Sequence, residues 1–199
     1  MKSLPLYAAS LLIATLLVAV IPTDAEAKIY DDTIRLHILA NSDRADDQEL
    51  KLEVRDRLLK KYGEILSSSK SIYEAKSQAA ELIESIERDA LEWIKELGYD
   101  YSVKATLTEE WYDTRVYEDF TLPAGYYTSL RVIIGEGEGK NWWCVMYPPL
   151  CTEIATEKAP ADDYLIDYSR EEMILIKGGQ YNVKFKILED LSRVFSKNG

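Results

Sequence analysis

The sequence predicts an α+β fold of a single domain: two N-terminal helices and a C-terminal helix packed on a mostly antiparallel sheet. Three observations carry this. Residues 45–97 place apolar side chains at helical spacing. From Tyr101 to Tyr147 the period changes to two. No internal repeat, and no Pro/Gly/Ser-rich linker, divides the chain.

Each element has a local reason. Ile34, Leu36 and Ile38 fall on one face of an extended segment and Arg35 and His37 on the other, the pattern of a half-buried strand. Asn41-Ser42-Asp43 is turn chemistry. Asp46 followed by Glu49 makes a helix-capping pattern, and Leu50, Val54, Leu58, Tyr62 and Leu66 continue it as an apolar stripe that Ser67-Ser68-Ser69 ends. Ser71 and Glu74 form a capping box for a second helix. Its stripe runs Ile72, Ala75, Ala79, Leu82, Ile86, Trp93 and Leu97, and Gly98 stops it. Tyr101, Val103, Ala105 and Leu107 then alternate with polar residues. Arg115 to Thr121 reads as a short strand and Leu122-Pro123-Ala124-Gly125 as a turn. Leu130, Val132 and Ile134 give a further strand, and Gly135-Glu136-Gly137-Glu138-Gly139 turns it into Trp142–Tyr147 as a hairpin. Residues 156–163 form a polar loop, and Met173–Ile176 a short apolar strand before Gly178-Gly179. Val183, Ile187, Leu191 and Val194 fit the terminal helix, although Val183-Lys184-Phe185 also suits a strand.

The chain has 199 residues and a formal charge of −11 at pH 7. That sign repels nucleic acid and anionic lipid, so neither is expected as a partner. Residues 1–27 read as a secretory signal: Lys2, an uncharged apolar run from Leu4 to Ile21, and Ala25-Glu26-Ala27 with cleavage between Ala27 and Lys28. The same run is long enough to serve as an uncleaved membrane anchor. Under both readings residues 28–199 are exported.

Outside the cell the two closely spaced cysteines, Cys144 and Cys151, suggest a disulfide. Closing so short a loop removes about 2–3 kcal/mol of unfolded-state entropy, so its role is to pin local shape. Two free, half-buried thiols are the alternative.

The search for chemistry yields no catalytic residues, no metal ligands and no cofactor site. His37 is the sole histidine, and no G-x-S-x-G or H-E-x-x-H motif accompanies it. The acid doublets, Glu109-Glu110 among them, are not dyads by spacing, because neighbours on a strand point to opposite faces. Gly135–Gly139 lacks both phosphate-loop patterns, and its two glutamates repel phosphate. No small-molecule substrate is expected. What remains is surface: Trp142, Trp143, Tyr147, Pro148 and Pro149 crowd beside the cysteines. Rigid aromatic side chains lose little entropy on binding, so this segment is hot-spot material, unless both tryptophans are core. Alternation puts Trp142 and Trp143 on opposite faces.

Two blocks resemble a known family. Arg35-Leu36-His37-Ile38-Leu39-Ala40-Asn41-Ser42-Asp43, followed by Asp47-Gln48-Glu49-Leu50-Lys51 and Val54-Arg55-Asp56, resembles the first signature of stage II sporulation protein R. Gly135 through Cys151 resembles the second. The resemblance implies a secreted signal protein of endospore formation, released into the space between forespore and mother-cell membranes. There it would activate a membrane-embedded aspartic protease, stage II sporulation protein GA, which processes pro-sigma-E. It implies a protein ligand and not an enzyme. The expected contacts are Asn41, Ser42 and Asp43 at the end of the first block, with Arg35 and His37 before them, and the Trp-Cys-Pro segment of the second. The competing expectation is a carboxylate-based cell-wall hydrolase or a wall-binding module.

Overall fold

The computed structural model describes residues 24–117, 120–148 and 168–177, and three isolated positions at 7, 10 and 14. Most of the leader, Pro149, Cys151, the polar loop at 156–163, Gly178-Gly179 and the expected terminal helix lie outside the described residues. The chain forms two compact units.

The larger unit comprises residues 30–111 and 126–169. It holds a four-stranded sheet in the order β2-β5-β1-β6, where β1 is Ile34–Leu39, β2 Val103–Tyr112, β5 Gly125–Ile134 and β6 Asn141–Tyr147. The fold class is α+β as the sequence predicts, and the sheet is mixed: β1 runs parallel to β5 and antiparallel to β6. The expected hairpin between β5 and β6 does not form, because β1 lies between them. A glycine-rich connection signals that the chain reverses. It does not say whether the two strands pair with each other or flank a third. Nor is β1 half-buried: all six of its residues are buried, Arg35 and His37 included, because side chains of the flanking strands lie over that face, Tyr127 against Arg35 and Trp143 against His37.

The helices behave more nearly as the spacing predicts. The first runs from Ala45 to Leu58 (α2), continues as a π-helical turn over Leu59–Gly63, and ends with Glu64–Ser67 (α3). A strict spacing of four overshoots an α-helix by about 40° per step, so the stripe would drift off the core. The π turn takes up that drift, and Leu50, Val54, Leu58, Tyr62 and Leu66 are all buried. The expected cap is corrected: Arg44 is the N-cap residue, with no side-chain cap bond, and Asp46 lies within the first turn. The long helix α4 spans Ile72–Glu96. The Ser71 side chain accepts from the Glu74 amide (3.3 Å). At the other end the Gly98 amide donates to the Lys95 carbonyl and the Tyr99 amide to the Ile94 carbonyl, with Gly98 at φ +86°. Those paired bonds are a Schellman stop, which needs a residue at ease with positive φ. Ala75, Ala79, Ile86, Ala90 and Ile94 form the buried stripe, while Leu97 is exposed.

The smaller unit comprises residues 1–29, 112–125 and 170–199. Arg115–Val116 (β3) and Thr121–Leu122 (β4) pair antiparallel, so the single strand expected over this stretch is a small hairpin. The Tyr117 and Phe120 rings stack at 4.4 Å. Helix α5 covers Arg170–Lys177, where a strand was expected. The run Met173–Ile176 is too short to show a period. The burial shows it: Glu172 and Ile176, four apart, are buried, and Ile174 and Leu175 are exposed. Helix α1, Asp24–Asp31, crosses the expected Ala27–Lys28 cleavage site. Among the described residues no helix is long and apolar enough to cross a membrane.

Candidate partner-binding end of the sheet

The two sequence blocks are about a hundred residues apart in the chain and meet at one end of the larger unit's sheet. Strand β1 delivers Asn41, Ser42 and Asp43, and the connection from β5 to β6 lies against them. The Gly139 amide donates to the Ala40 carbonyl (2.9 Å) and the Glu138 amide to the Asn41 carbonyl (3.1 Å). The Glu136 amide donates to Asn41 Oδ1 (3.1 Å), and the Lys140 amide to Asp43 Oδ1 (2.7 Å). The backbones approach so closely that a Cβ on Gly139 would collide with the Ser42 carbonyl, and one on Gly135 with the Asn41 amide group.

Asp47, in the first turn of α2, is the hub beneath this junction. Its Oδ2 accepts from Asn41 Nδ2 (2.9 Å) and Ser42 Oγ (2.5 Å), and its Oδ1 from the Tyr101 hydroxyl (2.9 Å). Burial pushes this carboxyl upward. The bonds from Ser42, Asn41 and Tyr101, with the Arg44 charge, outweigh burial and hold it below the ordinary carboxylate range. Lys51, one turn on, is also buried and donates to Gln48 Oε1 (2.7 Å) and the Lys140 carbonyl (2.8 Å). Burial, opposed by the Asp43 charge but helped by Arg55 and Lys140, lowers its ammonium below the usual range. One helix turn thus grips both blocks.

Across the sheet face that carries the odd-numbered residues of β1, His37 stands between Glu110 of β2 and Asn141 of β6. Nδ1 lies 3.0 Å from Glu110 Oε2, and Nε2 lies 2.9 Å from Asn141 Oδ1. The Trp143 ring stacks on the imidazole at 5.6 Å, and Arg131 Nε lies 3.4 Å from Glu110 Oε1. Trp142 turns to the other face, under the Arg55 guanidinium at 5.0 Å, so the predicted alternation holds.

The expected contact residues therefore divide. Asn41, Ser42 and Asp43 are brought together with the glycine segment, but their side chains are used within the junction. Trp142 and Trp143 are half-buried. Arg35, His37, Tyr147 and Pro148 are buried, and the Arg35 guanidinium lies over the Tyr127 ring at 5.1 Å. None of the four is an exposed contact. Arg35, Tyr147 and Pro148 lie toward the end of β1 and β6 away from the junction, since Ile34 pairs with Tyr147 and Leu39 with Asn141. Cys144 is buried on β6. The exposed residues at the junction are Asp43, Arg44, Glu136, Glu138, Lys140 and Asn141. Sequence reasoning missed Asp47, Tyr101, Lys51, Glu110 and Arg131. Asp47 and Lys51 stood in the first block, but nothing in their spacing marked them as the groups that bind the two blocks. Glu110 was discounted as half of a doublet, although the alternation that separates it from Glu109 is what turns it toward His37.

Fold and junction together define an α+β domain whose two sequence blocks interlock at one end of its sheet. The chain belongs to the stage II sporulation protein R family, whose sequence profile matches residues 30–157. It is 37% identical over 123 residues to stage II sporulation protein R of Bacillus subtilis (strain 168), a match covering 62% of this chain and 55% of that protein. The chain thus spans little more than half the length of the curated relative it matches. No solved structure matches it. The protein is a sporulation protein, and its family is described by a stage of sporulation and by no catalysed reaction.

Proposed function

We propose that this chain is an exported signal between the two compartments of a sporulating cell. It binds the outward-facing part of the membrane-embedded protease stage II sporulation protein GA and shifts it toward the active form that processes pro-sigma-E. It acts as a ligand, without catalysis of its own. The family membership carries this reading. The meeting of both sequence blocks at one end of the sheet supports it, because one partner can then touch both. On this reading the contact lies at the exposed rim of that end, Asp43, Arg44, Glu136, Glu138 and Lys140, flanked by half-buried Trp143. Export brings an oxidising environment, in which Cys144 pairs with Cys151.

The test is co-production of the full chain with the protease and its pro-sigma substrate in a host that does not sporulate. Processing is expected to rise well above that in cells lacking the chain. Unchanged processing refutes the proposal, and turnover of peptidoglycan by the purified chain would replace it with hydrolase activity.

A further inference from the structure

We propose that the chain is not cut between Ala27 and Lys28, and that its leader stays joined to the folded domain and holds it at the membrane. This rests on the export proposed above. The small-x-small motif Ala25-Glu26-Ala27 lies inside helix α1, Asp24–Asp31. A peptidase that reads small residues at alternate positions needs an extended chain, in which side chains two apart share a face. On an α-helix they stand about 200° apart. In the structure Ala27 is exposed, whereas Glu26 and Ile29, one turn apart on the same face, are buried. The motif is built into the fold as a packed helix.

The fold uses what the cut would remove. Asp24 and Glu26 place negative charge in the first turn of α1 and Lys28 places positive charge in the last, both favoured by the helix dipole. A cut after Ala27 takes away both acids and puts an ammonium group where the dipole favours an anion. It leaves Lys28–Asp31, about one turn, too little to persist as a helix. A helical side chain leans back over the turn before its own Cα, so buried Ile29 would lose the turn it lies on. Only Pro22 and Thr23 separate α1 from the apolar run Leu4–Ile21, which leaves no room between them for another small-x-small site. That run is long enough to hold the chain in a bilayer. The chain enters the larger unit at Tyr30, whose ring meets that of Tyr127 edge-on at 5.1 Å. Strand β1 then carries it from Ile34 to Leu39, about 20 Å, to the junction. An anchored leader thus joins the larger unit at the end of β1 away from Asp43, Glu136 and Glu138, and the exposed rim stays open to a partner.

The test produces the full chain in a bacterial host with an export pathway. Digestion by a protease added outside spheroplasts reports export. Intact mass and extraction of the membranes with alkaline carbonate report the leader. The exported chain is expected to keep residues 1–27 and to stay in the carbonate-washed membranes until detergent is added. Ala27→Leu replaces an exposed side chain by one too large for the peptidase, and it is expected to change neither the length nor the location of the chain. An exported chain that begins at Lys28 overturns the proposal while leaving the export reading intact. So does an Ala27→Leu chain that is longer than the parent. A chain that the outside protease never reaches refutes the export reading, and the anchor with it.

Discussion

Two buried carboxylates organise the larger unit in different ways. Asp47 sits where strand ends meet and accepts from neutral donors, two from the adjoining turn and one from Tyr101, 54 residues away. Asp89 sits between helices and accepts from Tyr62 and Lys61 through one oxygen. Burial pushes the Asp89 carboxyl up, but its bonds to Lys61 and Tyr62 and the charges of Lys61 and Arg88 bring it below the ordinary range. Burial and the bond to Asp89 raise the Tyr62 phenol. Adjacent side chains on an α-helix point about 100° apart. The π turn at Leu59–Gly63 is where Lys61 and Tyr62 come together on one acceptor. The comparison teaches that one chemical solution, a desolvated carboxylate saturated with donors, serves two purposes. At Asp47 it fixes a surface. At Asp89 it fixes an irregular helix against its neighbour.

The largest effect is expected where backbones touch. Gly139→Ala places a Cβ against the Ser42 carbonyl, which cannot move without disturbing the whole junction. Thermal unfolding should report a loss of about 2–4 kcal/mol, in the range of a severe overpacking. A near-neutral result would show that the two blocks are not locked together.

Next come the two carboxylates themselves. Asp47→Asn and Asp89→Asn each replace an acceptor pair by a group that must also donate, at a cost of about 1–3 kcal/mol in chemical unfolding. Lys61 is half exposed, so its share of the Asp89 loss is small. The comparison sharpens when activity is normalised to folded protein. Asp47→Asn is expected to lower protease activation, and Asp89→Asn to leave it unchanged. Equal losses would mean that the junction has no special part in binding.

Acid tests both sites together. Asp47, Asp89 and Glu110 all lie below their ordinary values in the folded chain. A depressed carboxyl contributes stability in full above its unfolded pKa, about 4, and loses it as the pH falls through the folded value. Unfolding followed from neutral pH downward should therefore show stability falling below about pH 4, with a shallower fall in either Asp→Asn variant. A slope unchanged in both variants would mean these groups are not linked to folding.

Legibility followed the same division. Both ends of the long helix were readable, because Ser71 and Gly98 speak through local chemistry, and so was the helical spacing of its stripe, apart from Leu97, which is exposed. The stripe from Leu50 to Leu66 was readable as a face but not as a π turn, since a spacing of four fits both a drifting α-helix and a corrected one. The insertion of β1 between β5 and β6 was not readable, because pairing is decided by contacts distant in sequence. At the candidate site Asn41, Ser42, Asp43 and the glycine segment stood out as blocks. That they bind each other depends on Asp47 and Lys51, which stand in the first block but whose partners, Tyr101 and the Lys140 carbonyl, lie far away in sequence.

The smallest predicted effect is also the control for the comparison. Ser71 caps the first turn of α4, several helical turns before Asp89, and it satisfies one amide, that of Glu74. Ser71→Ala should lower stability by about 1 kcal/mol through loss of that cap. Because the change touches neither carboxylate network, activation per folded molecule should equal that of the parent chain. If it falls as far as in Asp47→Asn, activation is reporting general stability, and the distinction between a surface-fixing and a helix-fixing carboxylate has no functional content.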